Sequence, residues 1–373
     1  MPLTISVGVK ADFYGQNVEI REGGMLKTLQ AGRAVACVAV AAYHLSMVMG
    51  QPRFGNVEVL REYTRHGCHG VEFFFVLSGF IIYYAHKRDI GDPAAWPDYL
   101  YRRWVRLFPI YWLYTLVFSI LVLVAGGVYA TTPTRPLDWL TSLSLVRFSA
   151  ADTPIPAAWT LFYELAFYSL FSLLILSRRI GLCVFVFMLL LPLLVRPVVS
   201  SPPQTAITVY TSSMNWLFAA GVGACWLHDK KGNGTFLLLA ALAVLAAAYN
   251  QAPFPETWSP VLRGIGFGLL VAGIAKLERG SHITVPAWIV LIGDASYSIY
   301  LLHANLETTL LKVAMGTHAS HLIGSRATFF LVLIGSVALG CLAFHVVERP
   351  LLSLLRRPRR VAVLASLSSE KLA

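Results

Sequence analysis

Charged side chains are scarce in this sequence. Asp, Glu, Lys and Arg make up 13% of it, about half the roughly 25% usual in a soluble domain. That scarcity argues against a soluble globular enzyme. Acids are the scarcer sign, 19 Asp and Glu against 30 Lys and Arg, a net +11. Cysteine is also sparse. The five residues Cys37, Cys68, Cys183, Cys225 and Cys341 show no CxxC or metal-ligand spacing. They read as small apolar packing residues rather than a disulfide framework, with Cys68, near a helix end, as the exception. No apolar segment with a cleavage site opens the chain, and neither an internal repeat nor a low-complexity tract is present. What fills the sequence instead is apolar: 57% hydrophobic residues and a mean hydropathy of +0.64. Such a composition excludes intrinsic disorder.

A spanning helix needs roughly 20 apolar residues. The fold class expected is therefore all-α, a polytopic membrane protein of about ten transmembrane helices. Candidate stretches are 27–50, 69–88, 109–130, 158–177, 180–196, 208–228, 235–250, 260–277, 285–306 and 326–347. The stretch 235–250 is short for a span unless the bilayer adapts. Three regions follow: 1–24, a polar N-terminal tail or the product of an upstream start codon, with Met25 just before the first span; 25–355, a membrane domain; and 356–373, a basic tail.

Basic residues set the expected orientation. If the first helix runs outwards, the cytoplasmic loops hold Lys87, Arg88, Arg102, Arg103, Arg106, Arg178, Arg179, Lys230, Lys231, Lys276 and Arg279, and the tail adds Arg356, Arg357, Arg359 and Arg360. Fewer lie outside, Arg53, Arg61 and Arg65 being the densest group, accompanied by Glu58 and Glu62. Both termini are expected in the cytoplasm. The net positive charge is accounted for by topology, so no nucleic-acid partner is expected; membrane lipids are.

An ionisable residue inside a span marks a candidate site. Arg33 and His44 share the first helix, 11 residues apart, which is three turns plus roughly 20° and about 16 Å along the axis. They therefore lie on one face. Singly, they fit a snorkelling arginine and a hydrogen-bonded core histidine; together they point to function. Glu72 opens the second helix, level with His44. Ser78 and Gly79 in the same helix read as close-packing positions, since Ser78 lacks the strand–turn–helix setting of a nucleophile elbow. Arg103 and Arg106 are one turn apart. That pair matches a phosphate and equally an anionic lipid headgroup. Glu164, in an aromatic run of the fourth helix, needs a partner, and His44 stands at a similar depth. Asp294 reads as structural, His303 as a weaker site candidate, and the closing Glu348-Arg349-Pro350 as an end cap and lipid anchor.

In depth order, arginines stand at the cytoplasmic mouth, then Arg33, then His44 with the two glutamates. A donor with a phosphate-rich head and a long arm fits that order, and acyl-coenzyme A is one. Its phosphates would rest on Arg33, Arg103 and Arg106. His44 would act as general base on an acceptor hydroxyl, with Glu164 or Glu72 orienting the imidazole. A transporter or flippase for a sugar or a lipid-linked precursor would also place charges in the membrane. An accessory scaffold in polysaccharide assembly would leave the shared Arg33–His44 face unexplained.

These motifs together resemble the membrane acyltransferase-3 family. Arg33…His44 looks like its Arg-x10-His opening, and Gly70–Phe80 resembles its second signature. Arg103-x-x-Arg106 with Pro109-x-Tyr111-Trp112 resembles the third, and Trp159-Thr160-Leu161-x-x-Glu164 with Phe167-Tyr168 the fourth. Ser296–His303 and Glu348-Arg349-Pro350 also fit, so the likeness runs over about residues 26–355. Glu72 departs from a common Asp, and Thr160 from a common Ser. The resemblance implies a bacterial inner-membrane enzyme that O-acylates carbohydrate, most often with acetyl from acetyl-CoA, and the Trp-Thr-Leu-x-Tyr-Glu form is most like that of the exopolysaccharide enzymes. It implies Arg33, His44, Arg103, Arg106 and Glu164 as site residues, no metal, a carbohydrate or lipid-linked glycan acceptor, and polysaccharide assembly proteins as partners. No hydrolase-like domain follows the last helix, which argues against an acyl relay within this chain.

Overall fold

The computed structural model describes residues 26–124, 133–195, 205–250, 259–280 and 283–355. The two expected tails fall outside these residues. Among the described residues every regular element is helical. The long helices are α1 (Lys27–Met49), α2 (Gly70–His86), α3 (Trp96–Val124), α4 (Trp159–Leu176), α5 (Arg178–Val195), α6 (Met214–Asp229), α7 (Gly234–Tyr249) and α8 (Ser259–Gly280). A broken pair follows, α9 (Ala287–Asp294) and α10 (Ser296–Gly316), then α11 (Ala319–Ala343), a π turn over Phe344–Glu348, and α12 (Arg349–Leu355).

Helices occupy each stretch expected from the sequence, but not all have the length of a span. Six helices of the described chain are long and apolar enough to cross a membrane, or up to seven when the pair bent by 72° at α9–α10 counts as one. Of the expected stretches not counted as spans, α6 and α7 have 16 residues each and α5 18, against roughly 20 for a full crossing.

Glycines let the helices approach. A Cβ on Gly79 would stand 2.2 Å from the Phe218 carbonyl oxygen, and one on Gly221 2.0 Å from that of Val76, so α2 and α6 cross backbone to backbone. Gly293 sits on the Gln30 carbonyl in the same way, which holds α9 against the start of α1. The Glu278 carboxylate, at the end of α8, accepts the Lys27 and Thr28 amides at 2.6 and 3.1 Å and also the Thr28 hydroxyl. It caps the first turn of α1, whose amides have no helical partner. Apolar and aromatic side chains of α2, α3, α4 and α6 form the main core, with Phe75, Phe80, Tyr99, Tyr163, Phe167, Phe171 and Phe218 fully or nearly fully buried. Around that core α1 and α10 run alongside each other, and the polar groups gather between them.

Candidate functional site

Arg33 points from α1 to the break between α9 and α10. The break frees the first turn of α10 to face α1, and Arg33 Nε and Nη2 donate to Ser296 Oγ at 3.0 and 2.9 Å. Arg33 is buried, 7% exposed. Farther along the same helices the two histidines meet. His44 Nδ1 lies 2.9 Å from the Val40 carbonyl oxygen and 3.3 Å from His303 Nε2, while His303 Nδ1 lies 2.6 Å from the Tyr300 carbonyl oxygen. A carbonyl only accepts, so both Nδ1 atoms carry the proton. His303 Nε2 is then a lone pair facing the His44 Nδ1–H. In the neutral ring His44 Nε2 is then the unprotonated nitrogen, the form a general base requires. The imidazole rings stand 5.0 Å apart.

The carboxylates take other partners. Glu164 accepts the Tyr168 hydroxyl one turn along α4. Glu72, 5% exposed, accepts Arg263 Nε and Nη2 at 2.6 and 2.8 Å and His69 Nδ1 at 3.2 Å. No hydrogen bond among the described residues joins either glutamate to His44. Depth along the membrane places a residue on a level but does not say which neighbouring helix it faces. Glu72 faces α8, and Glu164 faces a cavity. His303 therefore holds the place at His44 that a carboxylate was expected to take.

That cavity has about 670 Å3 of empty space including its mouth, and Arg33, Ser78, Arg106, Glu164, Ser296 and Tyr300 are among the residues lining it, with Phe74 and Phe75 as apolar wall. An apolar wall with a few convergent polar groups suits a small-molecule site. Tyr300 spans the step from cavity to histidines: its hydroxyl donates to Thr160 Oγ1 at 3.0 Å, and its ring lies 5.8 Å from that of His303.

The two arginines of α3 differ. Arg106 lies over the Tyr297 ring, 4.6 Å from its centroid, and its Nη1 donates to Glu348 Oε1 at 3.1 Å. Arg103, 5% exposed, lies over Tyr99 and Tyr168, 5.8 and 5.7 Å from the centroids. Its Nε and Nη1 have no hydrogen-bond partner among the described residues. A buried guanidinium with open donors fits an anionic ligand, because the burial of unmet donors is costly.

Glu348 is the residue that sequence reasoning placed elsewhere. It is not an end cap at the surface but fully buried, 0% exposed. The π turn rotates it inward, a local winding that often marks functional sites. Its Oε2 accepts Ser298 Oγ at 2.6 Å, and Ser298 in turn accepts the Tyr114 hydroxyl at 2.9 Å. His303 and Ser296 did leave a signal in the sequence: Ser296, Tyr300 and His303 fall at i, i+4 and i+7, one face of a helix. Ser78 lines the cavity, and its hydroxyl has no partner among the described residues. Asp294, expected to be structural, is 8% exposed with Oδ1 unpartnered. Among the described residues no three His, Cys, Asp or Glu side chains are grouped to hold a metal ion.

Comparison with known proteins places the chain in a family. The family model of the acyltransferase domain (Acyl_transf_3) matches residues 26–345. The exopolysaccharide production protein ExoZ of Rhizobium meliloti (strain 1021) is 29% identical over 318 residues, 82% of this chain and 95% of that protein. Nodulation protein 10 of Rhizobium leguminosarum bv. viciae is 25% identical, over 76% of this chain and 82% of its own. Acyltransferase MdmB of Streptomyces mycarofaciens is 25% identical, over 90% and 94%. No solved structure matches.

Proposed function

This chain belongs to the acyltransferase family of that domain and is an acyltransferase, and from that premise we propose that it moves an acetyl group from acetyl-CoA to a hydroxyl of an exopolysaccharide or its lipid-linked precursor. The transporter reading loses its footing with that membership. The observation that carries the proposal is the order of groups between α1 and α10. Arg33 and Arg106 line the cavity, Tyr300 links cavity and histidines, and His44 lies beyond with its Nδ1 held by Val40 and His303.

The donor supplies a thioester and an anionic head. Arg103, with open N–H donors, and Arg106 and Arg33 hold the head and line the path of the arm. His44 Nε2 takes the proton of the acceptor hydroxyl as its oxygen bonds to the acyl carbon. The C–S bond breaks, and the proton passes from the imidazolium to the leaving thiolate. Glu164, at the cavity wall, balances the arginines. In this reading the arginine end faces the cytoplasm, where coenzyme A is made, and the His44 end faces outwards across the inner membrane. Both termini are then cytoplasmic. The name of the exopolysaccharide production protein ExoZ supports the choice of exopolysaccharide as acceptor.

The test is thiol release from acetyl-CoA by detergent-purified protein, with and without de-O-acylated envelope glycan. Release that needs the glycan is expected; no release with any acyl-CoA, from protein shown to be folded, overturns the reading. In the same assay Arg103→Ala is expected to raise the acetyl-CoA KM by about 10- to 100-fold, the worth of one or two charge-assisted hydrogen bonds. The glycan KM should stay within a few-fold.

A further inference from the structure

A second cluster lies at the His44 end of the bundle, and the chemistry above does not use it. The turn Arg65–His69 is seated on α1 beside the catalytic candidate. A Cβ on Gly67 would stand 2.2 Å from the Ala39 carbonyl oxygen and 3.1 Å from Tyr43 Cβ, and Tyr43 is the residue before His44. From this turn His66 and His69 meet Tyr249, the last residue of α7. The ring centroids are 4.9 Å apart for His66–Tyr249, 5.3 Å for His69–Tyr249, and 6.1 Å for the two histidines, which stack within 23°. His66 is exposed, and His69 and Tyr249 are half-buried. Beneath the rings lies the buried Glu72, gripped by Arg263 from α8 through two bonds and by His69 through a third.

Two features identify the class of ligand. The Arg263 charge is met by Glu72 at bidentate distances, and at the rim Arg65 Nε donates to His66 Nε2 at 3.0 Å, so hydrogen-bond donors border the rings. The three rings pack on one another with the exposed His66 on the outside, so the cluster pairs an aromatic face with polar N–H and O–H edges. A pyranose has the matching shape, with C–H groups on its faces and hydroxyls around its edge. We propose that His66, His69 and Tyr249, fixed from below by Glu72 and Arg263, form the subsite for a hexose ring of the acceptor glycan, next to the hydroxyl offered to His44. The proposal rests on the acyltransferase reading for the identity of that glycan.

The probe is a de-O-acylated oligosaccharide cut from the native host's envelope polysaccharide and labelled at its reducing end. Binding is measured to full-length His44→Ala protein, so that no turnover intervenes. Adding Tyr249→Ala, or His66→Ala at the exposed ring, is expected to weaken binding at least tenfold, and Tyr249→Phe, which keeps the ring face, to stay within threefold. In the otherwise wild-type enzyme the same changes raise the glycan KM and leave the acetyl-CoA KM within twofold. The subsite is overturned if His66→Ala and Tyr249→Ala bind like their parent, if both lose acetyl-CoA in equal measure, or if the parent binds no fragment. Platform-dependent binding without thiol release would overturn the acyl-transfer reading alone, whereas glycan-dependent release indifferent to both variants would overturn the subsite alone.

Discussion

His44→Ala is expected to lower acetyl transfer to glycan by about 10²- to 10⁴-fold, the range a positioned general base supplies, with both KM values little changed and the protein still folded. The size follows from the geometry. His44 Nδ1 is committed to the Val40 carbonyl and faces His303 Nε2, so the ring has one orientation and one free basic nitrogen. Among the described residues the other unprotonated ring nitrogen between α1 and α10, His303 Nε2, is turned to the His44 Nδ1–H. His303 touches His44 and the Tyr300 backbone and is a positioning residue. His303→Ala should cost less than His44→Ala and lower kcat without raising either KM. His303→Gln, whose amide oxygen accepts the same Nδ1–H bond, should recover much of the loss. Steady-state rates of the three variants with acetyl-CoA and glycan decide the matter. Full transfer by folded His44→Ala protein would remove it as base, and equal failure of His303→Gln and His303→Ala would make the histidine contact one of shape alone.

The shared face of Arg33 and His44 was legible in the sequence because helix geometry alone sets it: 11 residues return to nearly the same azimuth. The helices were legible too, since long apolar runs in a charge-poor chain leave few alternatives. Partner choice between helices was not. Glu72 and Glu164 lie near His44 in sequence-derived depth, yet the side chain of each faces a different neighbour, Arg263 in one case and the cavity in the other. Azimuth about a helix axis depends on which helices pack together, and that is decided by contacts such as Gly79–Phe218 and Gly293–Gln30, distant in sequence. Two local distortions were equally hidden. The break at Ala295 turns α10 by 72° and brings Ser296 to Arg33. The π turn at Phe344–Glu348 moves one carboxylate from an assumed surface position to the inside. The break at Ala295 has no proline to announce it; the π turn precedes Pro350, whose ring and missing N–H disturb the helix at Val346, but a proline does not say which side chain the distortion turns inward.

That inward carboxylate carries the second large expectation. Glu348→Ala should destabilise the protein by about 3–5 kcal/mol, the cost of removing one partner from a buried ion pair. Glu348 is 0% exposed and the Arg106 side chain 11% exposed, so the guanidinium left behind has little access to water and its cavity neighbour Arg33 is also cationic. Loss of activity in this variant alone would not separate binding from folding. The double variant Arg106→Met/Glu348→Leu does so, because replacing both members of a buried pair by apolar groups of similar volume is often neutral or stabilising. The expected outcome is a thermal midpoint in detergent near that of the parent, with the acetyl-CoA KM still raised because Arg106 is gone. If the double variant melts as low as Glu348→Ala, the pair's surroundings demand polar groups for their own sake, Ser298 and Tyr114 included. If it melts normally and binds acetyl-CoA normally, Arg106 does not hold the donor, and the anion must rest on Arg103 and Arg33. The π turn would then serve only to satisfy a buried charge. In the expected outcome, the pair holds a cationic site open at a cost in stability, which is why a carboxylate with no exposed surface sits at the end of the last membrane helix.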